Sequence, residues 1–128
     1  MSQARVLSVG QCGYDHGQVT RFLRDAFSAR AESADTAMGA LAALRSGGYS
    51  LVMVNRVLDA DGTSGLDLIR AIKADPALAP IPTLLVSNYA DAQDQAAALG
   101  AIPGFGKSDL GRPKAREVLA PLLVAAEA

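Results

Sequence analysis

Few side chains in this sequence can do chemistry, and most of them close short apolar runs. Ser87 follows the run IPTLLV and Lys107 follows AIPGFG. A hydroxyl and an ammonium brought together would hold a small anion. Asn55 ends the run SLVMV, where a carboxylate would be the chemically useful residue. An amide is not an anionic oxygen nucleophile, so it cannot form an acyl phosphate as aspartate does. The loop that follows contains DADGTSG and supplies Asp59 and Asp61, oxygen donors of the kind that attract Mg2+ or Ca2+. Its Asp-Gly and Ser-Gly pairs are also turn formers. A calcium loop in the best register needs glutamate where Leu68 stands, which sets that reading aside.

The segment GQCGYDHG (10–17) offers two further chemistries. Glycines at 10, 13 and 17 would let a phosphate approach N–H groups at a helix start, as in a small nucleotide or anion sensor. Asp35 could then mimic a ribose-binding acid. The spacing is not G-x-G-x-x-G, and the same glycines describe a flexible loop before a helix that starts late, near Gly17. Cys12 and His16 lie four apart, a thiol with a neighbouring base. No third group orients them, and one histidine with one cysteine builds no triad. We therefore expect no enzyme and no catalytic residue.

Composition excludes other classes. Half of the 128 residues are hydrophobic and a fifth are charged, enough for one cored domain spanning 1–128. Lys+Arg 12 against Asp+Glu 13, with no basic stripe, argues against a nucleic-acid partner. A single cysteine and a single histidine exclude an intrachain disulfide and a Cys/His zinc site. The longest uncharged stretch, Pro76 to Ala90, is too short and proline-broken to span a bilayer. The start, MSQARVLSVG, lacks the apolar core of a signal peptide, so a cytoplasmic protein without membrane contact is expected.

The elements that must position these residues alternate along the chain. RVLSVG (5–10), ARAES (29–33), SLVMVN (50–55), IPTLLVSN (81–88) and AIPGFGK (101–107) are strand candidates. The second is weak, and Pro103 confines the last to an edge or a strand start. SLVMV is a continuous apolar run, as a central parallel strand requires. Between them, 18–29, 35–48, 65–75, 91–100 and 113–128 read as helices. Asp35 or Thr36 caps the second, glycines stop it, and Pro121 falls inside the last. Five βα units predict a doubly wound α/β three-layer sandwich with a five-stranded parallel sheet. Sites in such sheets lie beyond the C-terminal strand ends, where Gly10–Gly17, Asn55–Gly65, Ser87–Tyr89 and Lys107–Ser108 fall.

In order and spacing, ADTAMGALAALRSGGYSLVMVN, GLDLIRAIK, IPTLLVS and GAIPGFGK resemble the receiver domain of bacterial response regulators, a flavodoxin-like, CheY-like fold, over nearly the whole chain. The resemblance implies a strand-three aspartate that accepts a phosphoryl group from a histidine kinase. It also implies two acids after strand one for Mg2+, and a Ser/Thr and a Lys that contact the phosphoryl oxygens. Ser87 and Lys107 match the last two. Asn55 stands at the phosphoacceptor position, Gly10 and Gln11 at the acidic pair, Ser108 at a frequent proline, and Gly104, beside Phe105, near the aromatic switch position.

On those substitutions the chain resembles a degenerate pseudo-receiver. The family pocket is net negative, whereas the same positions here carry only the +1 of Lys107. Mg2+ binding should be lost, and no metal or other cofactor is expected. The function implied is phosphorylation-independent signalling through a protein partner of a bacterial pathway, on the face of helix four, strand five and helix five, with a homodimer possible. Two alternatives stay open: the Gly10–Gly17 sensor, and a receiver still phosphorylated through Asp59 or Asp61. Ser87 and Lys107 either bind an anion or are relics, with Lys107 hydrogen-bonded to Asn55 or Gln11.

Overall fold

The computed structural model describes residues 3–123. Strands β1 (Arg5–Val9), β2 (Arg30–Ala34), β3 (Leu51–Asn55) and β4 (Thr83–Val86) form one parallel sheet in the order β2-β1-β3-β4. Helices α1 (Gly13–Phe27), α2 (Ala37–Ser46), α3 (Gly65–Ala74), α4 (Ala90–Ala98) and α5 (Pro113–Leu123) cover its two faces. The expected reach of the last helix to residue 128 extends outside the described residues.

Strand periodicity sorts the core into two layers. Val6, Met53, Leu84 and Val86 face α1 and α5, against Val19, Leu23 and Leu119. Leu7, Val9, Val52, Val54 and Leu85 face the other side, against Leu44, Ile69, Ile72 and Ala96. Both faces of β3 are therefore buried, which is why its sequence is continuously apolar rather than alternating. Each such leucine contributes about 1.5–3 kcal/mol when fully buried.

The expected fifth strand does not form. Residues 101–107 pass along β4 but share only an isolated bridge, Val86 to Phe105. Ile102 N–H donates to Thr83 O at 2.9 Å and Ser87 N–H to Phe105 O at 3.0 Å, with no ladder between them. The intervening carbonyl, Leu85 O, accepts instead from the Gln93 side chain at 2.9 Å. The sheet has four strands.

The first helix also differs from expectation. It begins at Gly13, not near Gly17, because Cys12 is extended and its sulfur accepts the Asp15 N–H at 3.5 Å as an N-cap. Of the two expected cap candidates, Asp35 and Thr36, Thr36 caps α2, through Gly39 N–H at 3.1 Å. At the opposite end of the sheet from the strand-end crevice, Arg5 binds Glu32 at 2.8 Å and stacks 4.4 Å from the Tyr49 ring. Arg5 holds the Glu32 carboxyl below the usual carboxylate range. No helix among the described residues is long and apolar enough to cross a membrane.

Candidate functional site

The crevice beyond the strand ends brings Asn55, Ser87 and Lys107 together. They line one cavity of about 200 Å³ with Arg56, Val57, Val86, Asn88 and Tyr89. Gly10 and Gln11 follow β1, and Gly10 O accepts a long hydrogen bond from Asn55.

Asn55 acts as a donor. Its Nδ2 gives a hydrogen bond to Val57 O at 2.7 Å and a longer one to Gly10 O at 3.4 Å. An aspartate in the same pose would set carboxylate oxygens, which only accept, against two carbonyl oxygens. The amide therefore ties the end of β3 to the end of β1 and to its own following loop.

Gly10 leaves no room for a side chain. Its φ of +78° lies in the left-handed region, and a Cβ there would collide with the Leu58 side chain and come within 2.9 Å of Leu58 Cα. Leu58 is fully buried. The space into which a side chain at 10 would project is filled by leucine from the loop after β3. Gln11 is buried, and its amide atoms have no hydrogen-bond partner among the described residues.

The acidic loop is closed on itself. Val57 and Ser64 form an antiparallel bridge, Leu58 N–H donates to Thr63 O at 2.9 Å, and Asp59 N–H donates to Gly10 O at 2.9 Å. Asp61 accepts from Thr63 N–H at 3.0 Å in an Asx turn, which holds its carboxyl below the ordinary value. Asp59 and Asp61 are both exposed, and neither lines the cavity of Asn55.

Lys107 pairs with neither Asn55 nor Gln11. Its Nζ meets Asp15 Oδ2 at 2.5 Å, across 92 positions of sequence. That bond from the ammonium holds the Asp15 carboxyl below its usual range, against a smaller opposing effect of burial. The excess charge read from the matched positions is thereby balanced. Ser87 Oγ accepts the Tyr89 N–H at 3.1 Å and so caps the approach to α4.

Asp15, Leu58 and Gln93 are the site residues that sequence reasoning missed. Asp15 stands in the first turn of α1, a helix expected to begin only near Gly17. Leu58 is a large apolar residue inside a loop of turn formers. Nothing marked Gln93, whose side chain occupies the space beside Gly104, near the position matched to the aromatic switch. Groups of three or more His, Cys, Asp or Glu placed to hold a metal ion are absent among the described residues.

No family model matches the chain, and no curated protein matches it. Solved structures do. The chemotaxis response regulator CheY4 of Vibrio cholerae superposes with a TM-score of 0.70 at 19% identity, over 85% of this chain and 93% of that one. The signal receiver domain of a DNA-binding response regulator from Colwellia psychrerythraea 34H gives 0.70 at 25% identity, over 83% and 87%. The Mn2+-bound form of response regulator Rcp1 gives 0.74 at 19% identity, over 94% of each chain. The fold is thus the CheY-like fold of response-regulator receiver domains, with its sheet reduced to four strands.

Proposed function

We propose that this chain is a phosphorylation-independent, receiver-type signalling module that works by binding a protein partner. The observation that carries this reading is the Asn55 amide, donating to Val57 O at 2.7 Å where the resemblance places a phosphoacceptor aspartate. The position serves as a structural tie and offers no anionic oxygen nucleophile.

The surroundings support the same reading. Mg2+ requires hard anionic oxygens. Gly10 offers no side chain, Gln11 is neutral, and the nearby acid Asp15 is engaged by Lys107. Rcp1 holds Mn2+ in this fold; the residues at the matched positions here do not fit such an ion. The sensor alternative is weakened because the Gly10–Gly17 loop is spent on the first turns of α1. An anion at Ser87 would compete with Asp15 for Lys107.

For the partner we favour the side formed by α4, segment 101–107 and α5. Ala97 and Ala98 are exposed on α4, and small residues let a partner approach closely. On the 101–107 segment and α5, Ile102, Pro103, Val118, Pro121 and Leu122 line an apolar groove of about 250 Å³. The partner expected is a protein of a bacterial signalling pathway, and neither nucleic acid nor a membrane.

Incubation with acetyl phosphate and Mg2+, followed by intact-mass measurement, tests the reading. No phosphoryl adduct is expected. An adduct localised to Asp59, Asp61 or Asp15 would overturn it.

A further inference from the structure

The free edge of β4 is finished by a side chain instead of a strand. Gln93, in the first turns of α4, reaches back to the sheet, and its Nε2 donates to Leu85 O at 2.9 Å and to Ser87 O at 3.0 Å. Backbone pairing exists on both sides of this point, from Ile102 to Thr83 and from Ser87 to Phe105. The amide fills the gap between those two bonds.

Gly104 makes the room. A Cβ there would collide with Leu85 O and stand 2.8 Å from Gln93 Oε1. The arrangement recurs two residues on, where a Cβ on Gly106 would collide with the Asn88 side chain. Asn88 Oδ1 in turn accepts from Ser108 Oγ at 3.0 Å. Two amides from the β4–α4 unit thus occupy the two glycine gaps that flank buried Phe105.

We propose that Gln93 is a side-chain latch that replaces the missing strand pairing at the β4 edge and holds α4 in a single position. One amide satisfies two carbonyls that would otherwise be left short of a partner, and leaving such groups unpaired is the expensive alternative. Glutamate cannot substitute, because its carboxylate would face both carbonyls with acceptors only. The latch ties α4 to β4 and the turn after it, with the amide packed beside Gly104. It rests on these contacts alone, so its failure and that of the phosphorylation reading are separate.

Relaxation dispersion and amide hydrogen exchange on wild type, Gln93→Ala and Gln93→Glu test it. Wild type should show flat dispersion across 87–107. Both variants should gain millisecond exchange confined to α4 and 87–107, with amides there exchanging about tenfold faster. Alanine is a good helix former, so the first variant keeps the helix. Dispersion of equal size in wild type would overturn the latch. So would variants whose exchange is unchanged, or is raised evenly over the whole sheet, which would make Gln93 an ordinary brace.

Discussion

Asn55 Nδ2 lies 2.7 Å from Val57 O, so the side chain at the end of β3 is committed as a donor to the loop that follows it. Asn55→Asp therefore tests that commitment. It converts two attractive contacts into acceptor-on-acceptor contacts and should cost about 1–3 kcal/mol. A lower urea midpoint at neutral pH, recovering as the carboxyl is protonated, is the expected outcome. An Asn55→Asp protein as stable as wild type at pH 7 would show that the hydrogen bond contributes nothing.

A side chain at position 10 is excluded by packing as well as by backbone conformation. Gly10→Ala meets Leu58 and must adopt φ near +78°, a left-handed conformation that costs about 1–2 kcal/mol before any collision is counted. Leu58→Ala alone should lose about 2–5 kcal/mol as a buried leucine. Combining them should recover part of the clash and none of the backbone strain. A double-mutant cycle by denaturant unfolding measures this, and strict additivity would contradict the packing described.

The Asp15–Lys107 pair gives the fold a pH signature. The Asp15 carboxyl is depressed in the folded state, so its stabilisation is complete above the unfolded carboxylate pKa. It is lost as pH falls through the lower folded value. Asp15→Asn and Lys107→Met should each flatten the acid limb of a plot of Tm against pH, while Glu32, depressed by Arg5, keeps part of it. With side chains 25% and 38% exposed, the pair's coupling should be about 0.2–1 kcal/mol, smaller at high salt. Unchanged acid limbs in both variants would remove the pair from the account.

Cysteine is an unusual helix cap, because sulfur is a weak acceptor. Cys12→Ser places a better acceptor before the Asp15 N–H and should leave Tm equal or higher. Cys12→Ala should lose less than the roughly 1 kcal/mol typical of an oxygen cap. Thermal melts of the two variants decide it; a serine variant that melts well below wild type would count against the cap.

What was legible in the sequence was what local rules govern. SLVMVN read as a doubly buried strand, Asp35 or Thr36 as a cap, and the Asp61 turn as a turn, because period, capping and turn chemistry act over a few residues. The last strand misled because AIPGFGK is apolar enough for one. Where its ladder breaks, the Leu85 carbonyl is taken by Gln93, arriving from a separate helix. The site was half legible for the same reason. The residue types at 10, 11, 55, 87 and 107 could be read, but their partners could not. Asp15 meets Lys107 from 92 positions away, and no local pattern announces that Leu58 will fill the place beside Gly10.

The most direct test of the central claim is an amide NMR titration with Mg2+ and beryllofluoride, a mimic of the phosphoryl group on a receiver aspartate. No saturable shifts are expected at Asn55, Ser87, Lys107 or Gly10, since the donor amide and the Asp15–Lys107 pair should leave neither ion a seat. Saturable shifts at those residues would mean that a working phosphoryl site exists, and the account would be wrong.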